Sequence, residues 1–337
     1  MSEDVVVAPE PPSPVGAVYV QPSAERALRP GERIARLFNL NETRPYVLQR
    51  LTERTYWFQA GHYATTFFVG DEGVLTFDPL HERTEQLLTA ISSVTDLPIK
   101  TIVYSHDHRD HIGEAGVIMK AMAKRGESVE IVTSQATAEK QLWRRSKLPG
   151  PDKVLAWPQA SFTFEDLHLE LHGFERAAHC DDSSAYLLVE EKVLHAADHS
   201  NPDELPFWKF SANENFLYFE ANLRQTEQLD WVYENGGHGN VGYKEERAFY
   251  YEYIRDLTEA VDFAMGRITF DTARAELAGR PYLNSHTAFH TTWTRMVADA
   301  AVDTMRAKYG PFYGFEYGTW SNAEQIVWAR FAYGSWD

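Results

Sequence analysis

From Leu51 the pattern along the chain turns to that of strands. Thr55-Tyr56-Trp57-Phe58, Thr65-Thr66-Phe67-Phe68-Val69 and Val74-Leu75-Thr76-Phe77 are rich in β-branched and aromatic residues, and Gly61 and Asp71-Glu72-Gly73 punctuate them as turns. Further short strands are predicted over residues 99–104, 129–133, 167–171 and 192–195, with an apolar run over 185–189. Between them the period changes to that of a helix. Leu87, Leu88 and Ile91 mark a helix over 83–93, and residues 112–123 and 136–145 carry the same spacing. Strands alternate with helices and are followed by a second set of strands. The two β-rich stretches, 51–133 and 153–200, are consistent with a core of two sheets.

The flanks read differently. Residues 1–22 hold Pro9, Pro11, Pro12, Pro14 and Pro22, which predicts an extended arm, disordered or wrapped on a neighbour. Residues 24–40 are expected to form a short helix. Residues 201–208 read as a loop, and residues 215–231 as a helix with Phe216, Phe219, Leu223 and Leu229 along one side. Helical periodicity returns over 245–263 and 287–308. The tail from Tyr309 onward is crowded with aromatics, among them Phe312, Tyr313, Phe315, Tyr317, Trp320, Trp328 and Phe331. Such a terminus is expected to dock, either on its own domain or across a dimer interface. With the proline-rich arm it makes a homodimer the expectation.

Composition narrows the function. The 337 residues are 44% hydrophobic and suffice for a sizeable core, while the net charge of −17 opposes phosphate backbones and anionic membranes. The expected partner is a small molecule, with no nucleic acid and no membrane. One cysteine, Cys180, rules out an intrachain disulfide. The first residues carry no basic and apolar leader, and no apolar run is long enough to span a bilayer. A cytoplasmic address is expected.

The chemistry is concentrated in Ser105-His106-Asp107-His108-Arg109-Asp110-His111, between a predicted strand and a predicted helix. Imidazoles and carboxylates at this density suit a divalent metal, and strand-to-helix loops are where a scaffold holds such groups. The pattern H-x-H-x-D-H resembles the signature of the metallo-β-lactamase-fold hydrolases. The resemblance extends over about residues 46–245, with candidates in order downstream: His179 after the strand 167–171, Asp198 after the strand 192–195, and His238 in the turn Gly236-Gly237-His238-Gly239. It implies an αββα sandwich as catalytic domain (23–245), preceded by the arm 1–22 and followed by a helical, aromatic-rich extension (246–337).

The resemblance also implies roles. His106, His108 and His179 would bind one metal, and Asp110, His111 and His238 a second, with Asp198 shared and Asp78 orienting ligands from behind. One or two Zn²⁺ per chain are implied. Metal-bound hydroxide would attack an electrophilic carbon of a small apolar substrate, with Asp110 moving the proton and His199 or Tyr218 as candidate helpers. Lactone or ester hydrolysis is one implied reaction. Hydrolytic aryl dehalogenation is another, since length, arm and aromatic insert resemble the chlorothalonil dehalogenases. A mono-iron dioxygenase of the same fold and a metal-binding protein without turnover are the alternatives. Phe207, Trp208, Phe210, Phe216 and Phe219, together with Tyr218, are the candidate substrate wall.

Some positions depart from the family pattern. Cys180-Asp181-Asp182-Ser183 stands where a Pro-Gly turn is common, and Ala197 where glycine often precedes the shared aspartate. Cys180 reads as a small wall residue before it reads as a sulfur ligand or nucleophile. His286 and His290, four apart, read as helix-surface residues before they read as a second metal site.

Overall fold

A computed structural model describes residues 11–281 and 284–334. Its first sheet runs, in spatial order, Val47–Arg50, Thr55–Ala60, Tyr63–Val69, Val74–Phe77, Ile99–Val103, Glu130–Ser134 and Lys153–Leu155. The first four strands pair antiparallel through short turns, and the last three join in parallel. Parallel neighbours need a crossover, and the predicted helices supply it as Thr84–Ser92, Ala115–Lys124 and Gln135–Trp143. The second sheet holds Gln159–Phe164, Leu167–Gly173, Ser184–Leu188, Val193–His195, Tyr233–Asn235 and Val241–Gly242.

The sheets face each other across one core, where Trp57, Phe68, Leu75 and Val103 meet Leu169, Tyr186 and Val193. The opposite face of the first sheet packs Phe58, Phe67 and Ile102 against Leu87, Ile91 and Ile118 of its helices. Burial on both faces explains why Thr55–Ala60 is buried at every position and apolar almost throughout. The fold is thus a mixed α/β sandwich with helices outside its sheets.

A helical layer completes the molecule. Glu246–Met265, Ser285–Tyr309 and Phe315–Tyr333 pack around Tyr253, Leu257, Val297 and Ile326. The aromatic tail therefore docks on its own chain, although Tyr317, Trp328 and Tyr333 stay exposed.

Three sequence expectations change. Residues 24–40 are not a helix. Pro30 and Gly31, the latter at φ +84°, turn the chain, Glu32–Ile34 pairs in parallel with Val18–Val20, and the helix starts only at Leu37. The end of the arm is thereby held by its own chain, with the Tyr19 hydroxyl 2.8 Å from Asp203 Oδ1; residues 1–10 of the arm lie outside the described residues. The helix over 215–231 divides into a 3₁₀ turn, Phe216–Tyr218, and a helix, Phe219–Glu227. Among the described residues no helix is long and apolar enough to cross a membrane.

Candidate metal centre

The strand Ile99–Val103 ends at the sheet edge, and the chain turns through Ser105–His108 into the short helix Arg109–Ile112. Loops after three more strands converge there, carrying His179, Asp198 and His238. The result is two groups whose ligand atoms lie within 4.8 Å of one another: His106, His108, His179 and Cys180, and Asp110, His111, Asp198 and His238. Among the described residues these are the two such clusters. Asp198 touches both, its Oδ2 lying 3.2 Å from His179 Nε2 and 3.1 Å from His111 Nε2, and its Oδ1 3.0 Å from His238 Nε2. Asp198 is held at φ +60°, a left-handed conformation that non-glycine residues adopt mainly where the surroundings impose it.

The hydrogen bonds behind the cluster set the direction of each imidazole lone pair. Ser105 Oγ gives its proton to Asp78 Oδ2 at 2.7 Å, so it accepts from His106 Nδ1 at 2.9 Å. His179 Nδ1 donates to the Ser211 carbonyl at 2.8 Å, and His238 Nδ1 to the His62 carbonyl at 2.6 Å. In all three rings Nε2 is left with its lone pair, aimed into the cluster. His106 Nε2 is buried without any hydrogen-bond partner, and His108 Nδ1 and His179 Nε2 point at each other across 2.9 Å. The donor set of nitrogen and carboxylate fits zinc or a similar divalent ion.

Electrostatics agree. Burial, then the neighbouring His108, His111 and His179, hold the His106 pKa well below the usual imidazole range. Burial and His179 bring His108 down to about 4. Both rings are neutral, the coordinating form. Burial opposes ionisation of Asp198, but His111, His179 and His238 outweigh it and hold its carboxylate well below the ordinary range. His111 is correspondingly drawn up by Asp198 and Asp78 against the effect of burial.

Asp78 lies behind the cluster as expected, fully buried and bonded to the Ser105 amide, the Ser105 hydroxyl and His195. The sequence reading missed His195. Its Nε2 lies 3.0 Å from Asp78 Oδ2, and its Nδ1 meets Thr66 Oγ1 and Asn235 Nδ2. An imidazole facing inward from a short strand was the one signal available. The glycine turn around His238 also has a physical reason. A Cβ on Gly237, which sits at φ +78°, would come within 2.9 Å of His111 Cε1.

The departures from the family pattern acquire roles. Asp182 accepts from the Asp107 amide at 2.6 Å and pairs with Lys140 at 2.8 Å, tying the His179 loop to the His106 loop. Cys180 is within reach of the three histidines, but its thiol donates to Asp182 Oδ1 at 3.1 Å, and burial, then Asp182, push its pKa well above the usual thiol range. His290 packs against Phe331, and neither it nor His286 belongs to a metal-binding group among the described residues.

His199 and Tyr218 are placed elsewhere. His199 Nε2 is bonded to Thr226 Oγ1 at 2.8 Å and its ring is stacked on Phe174, and Tyr218 packs on the helical core. Among the described residues no hydrogen bond joins either side chain to the ligand groups.

The wall is divided. Phe207 leans on the His238 ring at 5.2 Å and, with Trp208, lines a cavity of about 650 Å³. Phe210, Phe216 and Phe219 instead stack on one another inside the helical core. They are part of the packing because the turn after Trp208 winds left-handed, with φ 55°, 53°, 68° and 56° at Lys209, Phe210, Ser211 and Ala212. Four such residues cost roughly 1–2 kcal/mol each. The C-terminal helix Phe315–Tyr333 compensates with side chains. Ser321 Oγ accepts from the Lys209 amide, Asn322 bridges the Phe210 amide (2.6 Å) and the Pro206 carbonyl (2.7 Å), and Gln325 caps the Asn213 carbonyl. This turn is what presents the Ser211 carbonyl to His179. The same helix end, with Phe38 and His62, supplies cavity walls that the sequence did not place.

A model of the metallo-beta-lactamase superfamily matches residues 60–294. No curated protein matches the chain. A metallo-beta-lactamase from Pontibacter korlensis superposes with a TM-score of 0.50 at 19% identity, over 61% of this chain and 99% of that one. VMB-1 gives 0.48 at 16% identity, over 62% and 97% of the two chains. Metallo-beta-lactamase IND-7 gives 0.49 at 13%, over 61% and 98%. With the sandwich and its converging ligands already described, the match over most of the chain means that it belongs to the metallo-beta-lactamase superfamily.

Proposed function

We propose that this protein is a metal-dependent hydrolase acting on an electrophilic carbon of a small, apolar, aromatic-compatible substrate. The observation that carries the reading is the convergence of imidazole lone pairs, each fixed by a bond to its other ring nitrogen, around the Asp198 carboxylate. His106, His108 and His179 would hold one ion, and Asp110, His111 and His238 a second, with Asp198 between them. When bound, zinc supplies a Lewis acid and lowers the pKa of water from about 15.7 to about 7. The chain's own groups do the rest. Asp110 is the most exposed of the ligand carboxylates, its side chain 38% accessible, and is the group able to carry a proton to a leaving atom. Asp78 and Ser105 keep the rings in register. The Phe207 side of the cavity offers an apolar wall to such a substrate. Lactones, aryl esters and activated aryl chlorides are the substrate classes that fit.

The test is a panel of lactones, aryl esters, phosphotriesters and chlorinated aromatics, assayed with zinc-loaded protein and with Asp110→Asn. Turnover of one carbon-centred class, lost in the variant, supports the reading. Iron as the resident metal, with oxygen consumption in place of hydrolysis, replaces it with a dioxygenase. Metal-loaded protein inert on the whole panel replaces it with a binding role.

A further inference from the structure

The cavity beside the metal centre has an unusual charge balance. Rings of Phe38, Phe207, Trp208, Tyr313 and Tyr317 line it, and so do the carboxylates Glu42, Glu204 and Glu316. No lysine or arginine is among its lining residues. Two of the carboxylates are ordinary surface groups, since Glu42 and Glu316 are exposed and Glu316 faces Arg306 at 3.4 Å. Glu204 is different. It is 6% exposed, and among the described residues no hydrogen bond to its carboxyl contributes to its electrostatics, only burial and the neighbouring Asp203. Arg33 pairs with Asp203 at 2.7 Å and Glu246 at 2.9 Å, and among the described residues no ion pair joins a cation to Glu204. Burial, with Asp203 adding to it, raises the Glu204 pKa to about 8. A buried carboxyl without a partner is costly, and this one borders an aromatic space whose lining, among the described residues, holds no lysine or arginine.

We propose that the cavity binds an organic ammonium group, with Glu204 as its counter-ion and the surrounding rings as its cage. A cation over an aromatic face gains from the ring quadrupole, and desolvation strengthens the attraction. A cation seated there favours the ionised form of Glu204, and the carboxylate then supplies the charge that neutral rings cannot. Anionic ligands meet three carboxylates and are excluded. The cavity shares Phe207 and His62 with the ligand cluster, through the Phe207–His238 contact and the His62 carbonyl. A molecule seated there would therefore have its amine end at Glu204 and its other end toward His238. That last step rests on the hydrolase reading, whereas the binding step does not.

The experiment measures binding, not turnover, on the full chain with metal present and again after chelation. Trp208 in the wall provides a fluorescence signal. Phenyltrimethylammonium is compared with tert-butylbenzene, which has the same shape and no charge, and with benzoate. The expected result is saturable quenching by the cation, weaker binding of the neutral analogue by about tenfold or more, and none by benzoate. Glu204→Gln, which keeps size and polarity, lowers the cation affinity by about tenfold or more, while Glu42→Gln at the rim changes it by less than about threefold. Equal binding of the cation and its neutral analogue by the native chain overturns the proposal, whatever the variants do. So does a folded Glu204→Gln protein with native affinity. Metal content is read separately, so failure here leaves the hydrolase reading standing, and an empty metal centre leaves this one standing.

Discussion

The ligand cluster and the cavity beside it are both buried and both acidic, yet they handle charge in opposite ways. In the cluster each carboxylate has polar partners. Asp78 takes hydrogen bonds from Ser105 and His195, Asp198 sits among three imidazoles, and both are held in their ionised form. In the cavity Glu204 has neither donor nor cation among the described residues, and its pKa moves the other way, up to about 8. The two regions are joined by one chain segment, Asp198 to His238, and by Phe207. The contrast teaches that burial alone does not set a group's state. The polar partners that the fold provides decide it, and a group left without them is a place where a ligand is expected to provide one.

The largest effect expected is at Asp198. Asp198→Ala removes the carboxylate that touches both groups, and metal binding should be abolished at both. Retention of metal at one group would show that the two are independent, and calorimetric titration with zinc distinguishes the cases. The cavity side is tested by Glu204→Gln. The folded-state pKa of Glu204 is raised from 4.5 to about 8, so its stabilising neutral form is complete below pH 4.5 and is lost as pH rises through 8. The penalty at pH 8 is on the order of 4 kcal/mol. The variant should therefore be more stable than the native chain by about that amount at pH 8 and equal to it near pH 4.5, as read by denaturant unfolding. A difference that does not vary with pH would mean that Glu204 has a hidden partner.

A smaller effect is expected from the helix that holds the left-handed turn. Asn322→Ala frees the Phe210 amide and the Pro206 carbonyl, loosens the Ser211 carbonyl and leaves His179 less well oriented. Zinc affinity should fall by about 10–100-fold, the usual effect of losing support behind a ligand. Asn322→Asp keeps the acceptor and should recover part of the loss. Stability lowered with zinc affinity unchanged would reduce the helix to a packing element. The smallest effect is expected at Cys180. Cys180→Ser keeps both neighbours bonded and should change stability by less than about 1 kcal/mol with the metal stoichiometry unchanged. Loss of an ion would promote Cys180 to a ligand.

The centre was legible in the sequence because metal chemistry forces residue types into a short local spacing. His106, His108, Asp110 and His111 lie within one loop, His179 and Asp198 follow readable short strands, and His238 sits in a readable glycine turn. The left-handed turn was not legible. Lys209-Phe210-Ser211-Ala212 contains no glycine or asparagine, and the bond from Asn322 that holds it spans 112 residues. His195 escaped for the same reason, since its partner Asp78 lies 117 residues away. The tail aromatics were readable as a docking surface, but not as cavity walls, because which face Phe312 to Tyr317 presents depends on where the helix lands. The helix expected over 24–40 failed on local evidence that was present, Pro30 and Gly31.

The central claim is that these seven side chains hold divalent metal. Elemental analysis of protein purified without chelator, beside the His106→Ala variant, tests it most directly. The account predicts one or two zinc ions, or a similar divalent metal, per native chain, with a clear loss in the variant. A native chain that binds no metal, even after reconstitution and with its fold intact, would contradict it.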